Sequence, residues 1–231
     1  IYRMPAAGGE ATVLTQSSGV ALNFQPRISP DGKTIAFITD RRGQYNLWVM
    51  NADGSNPRAV FNDLNSTALE PAWTPDGNFI VVRKGGRGGG EGGAPAGGIW
   101  MYHKDGGQGV QLVGTAAGGR GAGGGGGANA SPQWPSVSGD GKYLYYQVSM
   151  PVADKEPLSG SLQLRRFEFK TGETVDVTAG ESSGAAAGRF SSGGGAAPEI
   201  SRDGRWLAFA RQIPDGLLEC IVQAIHDRPG R

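Results

Sequence analysis

The sequence predicts an all-β fold, a β-propeller of four-stranded antiparallel blades with about four blade equivalents present. Three observations predict it: a turn-and-strand pattern that occurs four times, a second hairpin that alternates with it, and strands that are apolar on consecutive residues. "PRISPDGKTIAF" begins at residue 26, "PAWTPDGNFIVV" at 71, "PSVSGDGKYLYY" at 135 and "PEISRDGRWLAF" at 198. The shared frame is Pro, any residue, an apolar residue, Ser or Thr, any residue, Asp-Gly, two variable residues and an apolar run. Self-similarity at a repeat period dictates architecture before any other reading does.

The chain opens on "IYRMPAAGGEATVLTQ" (1–16), a hairpin of the second kind with no first hairpin ahead of it, and so a half blade. The first full blade runs over about 23–61. Asp31-Gly32 turns the chain into "TIAFI", and "NLWVMNADGSNPRAV" adds two strands about Asp53-Gly54. Gly accepts positive φ at little cost and Asp bonds its own local backbone, which is hairpin chemistry. The blades at about 68–114 and 132–179 repeat this order, with second turns at Asp105-Gly106 and Thr171-Gly172. A half blade at 196–213 follows, and 215–231 is read as an irregular tail, because no strand like "NLWVM" continues the pattern. On this reading residues 1–214 are the propeller. Gly32, Gly77, Gly141 and Gly204 are expected to share one turn position and a positive φ.

The second strands, "TIAFI", "FIVV", "YLYY" and "WLAF", do not alternate apolar with polar. A strand covered on both faces reads this way, and blades stacked about an axis cover both. A β-sandwich would leave one face of each sheet to water and alternate more cleanly. Trp48, Trp73, Trp100 and Trp206 fall at strand positions and are expected to pack between blades. Trp134 fits the same role or the axial mouth. The two half blades fit either one composite blade that closes the ring or a slice of a larger propeller, and the patternless tail favours the slice.

Glycine, 41 of 231 residues, exceeds the usual share of about 7% more than twofold. The excess sits in three insertions, 85–98, 114–131 and 180–197, which are expected to be mobile because they carry too little apolar surface to offset ordering entropy.

The stretch "SPDGKTIAFITDRRGQYNLWVMNADGSNPRAV" resembles the TolB-type (WD40-like, PD40) propeller repeat, and the likeness covers nearly all of 1–213. The resemblance implies a bacterial, periplasmic or secreted module that binds a protein or ligand. The alternative it implies is the N-terminal accessory propeller of a larger hydrolase, an amidohydrolase first and a prolyl-oligopeptidase-like peptidase second, the partner then being a covalently linked catalytic domain. The glycine-rich insertions depart from the compact TolB pattern.

The residues themselves nominate no catalytic, cofactor-binding or metal site. "GESSG" (180–184) matches G-x-S-x-G with Ser182 as nucleophile, but it lies in a Gly/Ala/Ser stretch rather than a strand-to-helix elbow. The two histidines, His103 beside a turn and His226 in the tail, offer Ser182 no evident base. "DGKT" (31–34) lacks the upstream glycine of a phosphate loop, where Arg27 stands. The G-x-G-x-x-G spacings at 88–93 and 119–124 lie in glycine tracts without strand–turn–helix context. Arg87 and Arg120 lack the aromatic neighbours on which RNA bases stack. The Asp-Gly aspartates have turn roles and no D-x-D-x-D spacing for calcium, and "NST" (65–67) and "NAS" (129–131) are sequons by pattern alone.

A net charge of +1, from 22 basic and 21 acidic residues, gives no electrostatic case for nucleic acid. A single cysteine, Cys220, excludes an internal disulfide or a multi-thiolate metal site. No apolar run is long enough for a membrane-spanning helix, and no signal peptide is visible.

Overall fold

The computed structural model describes residues 1–16, 19, 21–86, 97–114, 132–151, 160–177, 198–201, 205–212 and 218–224. All regular structure in them is β. The chain forms two compact units, residues 1–112 and 113–231.

The first unit begins with a hairpin of β1 (Tyr2–Arg3) and β2 (Thr12–Val13). A four-stranded meander follows: β3 (Asn23–Ile28), β4 (Thr34–Thr39), β5 (Asn46–Asn51) and β6 (Arg58–Ala59). The second meander is β7 (Ser66–Trp73), β8 (Phe79–Gly86), β9 (Gly98–His103) and β10 (Val110–Gly114). Each meander is an antiparallel blade of a β-propeller, its strands in chain order.

Burial follows the apolar runs. Residues Ile35 to Thr39 of β4 are buried one after another, as are Ile80 to Val82 of β8. Alternate side chains serve opposite faces. Ala36, Ile38, Leu47 and Val49 meet Ala68, Ile80, Val82 and Tyr102 of the next blade. Ile35, Phe37, Trp48 and Met50 face the N-terminal hairpin through Leu14. The continuous apolar reading is thus two half-faces interleaved at period two.

The second unit holds β11 (Pro132–Val137), β12 (Tyr143–Pro151), β13 (Gly160–Glu168) and β14 (Thr174–Asp176) in one meander. A three-stranded sheet follows, of β15 (Glu199–Ile200), β16 (Trp206–Gln212) and β17 (Leu218–Ala224). Tyr145 and Leu164 of the first sheet pack on Leu207 of the second.

Two expectations are corrected here. Residues 215–231 are not wholly irregular: Leu218–Ala224 pairs along β16, from Gln212↔Leu218 to Trp206↔Ala224. The strand lacks an aromatic and carries Glu219 in its apolar run, so it escapes the "NLWVM" pattern, while the ladder needs only backbone groups. With β17 in third position, both edges of β16 are used. Trp206 is 48% exposed, unlike Trp48 at 6%. It opens its strand at the end of the ladder, where less chain covers it.

The first-hairpin turn is built alike in each described copy. Ser29 Oγ donates to Asp31 Oδ1 at 2.6 Å and accepts from the Thr34 amide at 2.9 Å. Asp31 Oδ1 also accepts from the Lys33 amide. Thr74 with Asp76, and Ser138 with Asp140, repeat both hydroxyl bonds. Gly32, Gly77 and Gly141 follow with φ of 72°, 67° and 71°. In the fourth copy Ser201 Oγ accepts from the Trp206 amide, and Gly204 lies outside the described residues.

Candidate functional site

The first strand of each four-stranded blade carries a bulge. Phe24 pairs with Ile38 and Arg27 with Ala36, so β3 spends one residue more than β4. Leu69 and Ala72 of β7, and Gln133 and Ser136 of β11, bracket the same irregularity. Gln25, Glu70 and Trp134 sit inside these bulges at φ of 50°, 58° and 57°. A left-handed residue without glycine costs on the order of 1–3 kcal/mol and persists where surrounding structure holds it.

In the first unit the holding contacts are explicit. The Glu70 amide donates to Gln25 Oε1 at 2.8 Å, so one bulge grips the next. Glu70 Oε1 meets Arg83 Nε at 3.0 Å, its side chain 5% exposed. The indole of Trp73 donates to the Arg27 carbonyl at 2.9 Å. Bulges of this kind re-aim side chains out of the pleat, here across the seam between blades.

On β8 the next residue, Lys84, is a buried cation. Its Nζ lies 2.9 Å from Asp63 Oδ2 and 3.1 Å from the Tyr102 hydroxyl. The rings of Trp100, Phe61 and Tyr102 surround it at 4.9, 5.1 and 5.8 Å. Ser66 Oγ donates to the same Asp63 oxygen at 2.6 Å, and the Asn65 amide to Oδ1. Burial opposes the charge on Asp63, but the bonds from Ser66, Lys84 and Asn65 outweigh it and lower its pKa to about 2. Lys84 is likewise pulled down by burial and raised overall by Asp63 and Tyr102.

The turn aspartates share the direction. The hydroxyl bond is the main cause of the lowered pKa at Asp31 and Asp76. At Asp140 burial opposes, and the bonds from Ser138 and Lys142 prevail. Chemically these carboxylates hold charge and fix backbone. A general acid for neutral pH needs the opposite shift.

Of the residues weighed in the sequence, those described form no reactive set. His103 ends β9, its Nδ1 accepting from the Asp105 amide at 3.2 Å and its ring meeting Phe79 edge-on. Ser182, His226, Arg87, Arg120, Asn129 and most of the three glycine-rich insertions lie outside the described residues. Trp48 is buried, Trp73 and Trp100 pack partly buried on the core between the blades, and Trp134 is half-buried. Among the described residues no group of three or more His, Cys, Asp and Glu could hold a metal ion, and no helix is long and apolar enough to cross a membrane. Sequence reasoning missed the bulges and the Lys84 network. The prolines that open each repeat were the available signal for the first, but the residue before a proline is normally pushed to extended backbone.

No protein-family model matches the chain. Over 65 residues it is 40% identical to the "uncharacterized peptidase YuxL" of Bacillus subtilis, covering 28% of this chain and 10% of that protein. The crystal structure of TolB from Acinetobacter baumannii superposes on 95% of this chain and 45% of its own, with a TM-score of 0.60 at 20% identity. A puromycin-hydrolysing peptidase of Mycobacterium tuberculosis superposes on 97% of this chain and 32% of its own, with a TM-score of 0.54 at 16% identity. The chain thus spans less than half of each of these proteins.

Proposed function

We propose that this chain, which has the fold of a TolB-like β-propeller, is a non-catalytic propeller module that binds a protein or ligand. The observation that carries the reading is the state of its carboxylates. Asp31, Asp53, Asp63, Asp76 and Asp140 all have lowered pKa values and all anchor turns or the Lys84 pair. The hydrogen bonds these carboxylates accept brace the frame, which supports a scaffold whose loops present the binding surface. Nucleic acid and membrane insertion are not part of the reading. The likeness to TolB supports a periplasmic or secreted location, which cell fractionation tests.

A second reading has its own support. The 65-residue likeness to a Bacillus peptidase, and the peptidase fold match, favour an accessory propeller beside a hydrolase domain. The peptidase class gains this support, where the sequence alone placed an amidohydrolase first.

One experiment separates the two. An antibody to this chain is used on extracts of its native host, and the purified chain is assayed on chromogenic ester and aminopeptidase substrates. The binding module predicts a polypeptide that a serine-hydrolase probe leaves unlabelled, and turnover equal to buffer. A much larger polypeptide labelled by a serine-hydrolase probe supports the accessory reading. Turnover by the purified chain, lost in Ser182→Ala, overturns both.

A further inference from the structure

The first unit contains a cavity of about 230 Å³ outside the Lys84 network and the Gln25–Glu70 contact. Its walls include Leu14, Thr15, Gln16, Arg41, Met50 and Asp53. Arg41 leaves the β4–β5 loop and lays its guanidinium over the Trp48 ring at 4.7 Å, with Phe37 at 5.7 Å. One terminal nitrogen donates to Asn23 Oδ1 at 2.9 Å, which fixes the plane. Among the described residues no carboxylate lies within ion-pair distance of it, and its Nε is buried without a hydrogen-bond partner.

This is an unusual state for a cation. Arg41 is only partly buried, but its planar fork suits a carboxylate. Burial alone lowers the Arg41 pKa, with no compensating anion. Nearby polar atoms are unsatisfied too: Thr39 Oγ1, Asn46 Oδ1 and Trp48 Nε1 are buried without partners. Thr39 and Asn46 are cross-strand partners two residues from Phe37 and Trp48, so the pleat puts all four on one face of the blade. Asp53 on the cavity wall gives the opposite charge. Its Oδ1 is taken by the amide and hydroxyl of Ser55, and those bonds keep it ionised.

The cavity wall thus carries both signs of charge, Arg41 and Asp53, with Arg3 also acting on Asp53. We propose that this cavity binds a small zwitterion of amino-acid or dipeptide size, its carboxylate on Arg41 and its ammonium toward Asp53. The site is independent of whether the propeller acts alone or beside a hydrolase.

The test uses the full chain and the dipeptide Ala-Ala as probe, with acetate and ethylamine as its separate halves. The readout is the indole N–H resonance of Trp48 in nitrogen-15 spectra, identified through Trp48→Phe. Ala-Ala is expected to shift it saturably in the millimolar range, more tightly than either half. Arg41→Met and Asp53→Asn each weaken binding by about tenfold or more. The exposed Asp53→Asn change decides the matter if Arg41→Met does not fold. Absence of a saturable shift, wild-type affinity in either folded variant, or acetate binding as tightly as Ala-Ala overturns the proposal.

Discussion

A Cβ placed on Gly54 would lie 2.6 Å from the carbonyl oxygen of Leu14. The β5–β6 turn therefore presses its backbone directly onto the chain leaving β2. The contact recurs one blade on, where a Cβ on Gly106 would lie 3.1 Å from the Val60 carbonyl oxygen. Both glycines have positive φ, 89° and 104°. The turn motif legible as Asp-Gly thus does two things: it reverses the chain, and it lets one blade approach the previous one.

Gly54→Ala tests this contact against Gly43→Ala. Gly43 has φ of 93° but nothing within 4 Å of its Cβ position. Both variants pay the conformational penalty of alanine at positive φ, at least about 1 kcal/mol. Only Gly54→Ala must also push the Leu14 backbone away. Urea denaturation is expected to show the larger loss for Gly54→Ala, by roughly 1 kcal/mol or more; equal midpoints would mean the seam yields freely.

The hydroxyl of Thr74 satisfies Asp76 and the Phe79 amide at once. Thr74→Ala leaves both without that partner and is expected to cost about 1–3 kcal/mol. Ser55→Ala, at an exposed turn, is expected to cost well under 1 kcal/mol. Thermal unfolding of the two variants checks the order.

Acid should weaken the first unit through Asp63. Its folded pKa, about 2, lies below the ordinary 3.8. Its stabilising contribution is therefore complete above about pH 4 and is lost as pH falls toward 2. With the side chain 24% exposed, solvent screening trims the loss to about 1–2 kcal/mol. The lowered turn aspartates Asp31, Asp76 and Asp140 add in the same direction. Asp63→Asn should flatten the acid limb of a stability–pH curve between pH 4 and 2; an unchanged slope would remove Asp63 from the account.

Lys84→Met removes the cation from the aromatic box but keeps much of its volume. Asp63 then loses a bond and its counter-charge while Ser66 and the Asn65 amide remain. The Asp63 carboxyl is expected to titrate closer to its ordinary value, followed by carbon-13 shifts across an acid titration. A value still near 2 would assign the whole effect to Ser66 and Asn65.

The fold was legible because its determinants are local. Asp31-Gly32, Asp76-Gly77 and Asp140-Gly141 state the turn chemistry outright, and unbroken apolar runs such as Ile35–Ile38 state two-sided burial. What was not legible depends on chain paths far apart in sequence. Lys84 reads as a solvated end of a strand until Asp63 and Tyr102, both about 20 residues away, are folded against it. Gln25 and Glu70 read as ordinary residues before proline, because the bond between them spans 45 positions. Strand β17 was hidden for a different reason: ladder pairing asks little of side chains, so Leu218–Ala224 needed no repeat signature.

The central claim is that each blade is a meander whose second strand is bonded on both edges and covered on both faces. Amide hydrogen exchange tests it strand by strand. Residues 35–38 of β4, 80–82 of β8 and 144–148 of β12 are predicted to exchange slowest, more slowly than β6 and β10 at the sheet edges. Exchange in those three runs as fast as in Arg58–Ala59 and Val110–Gly114 would contradict the blade assignment.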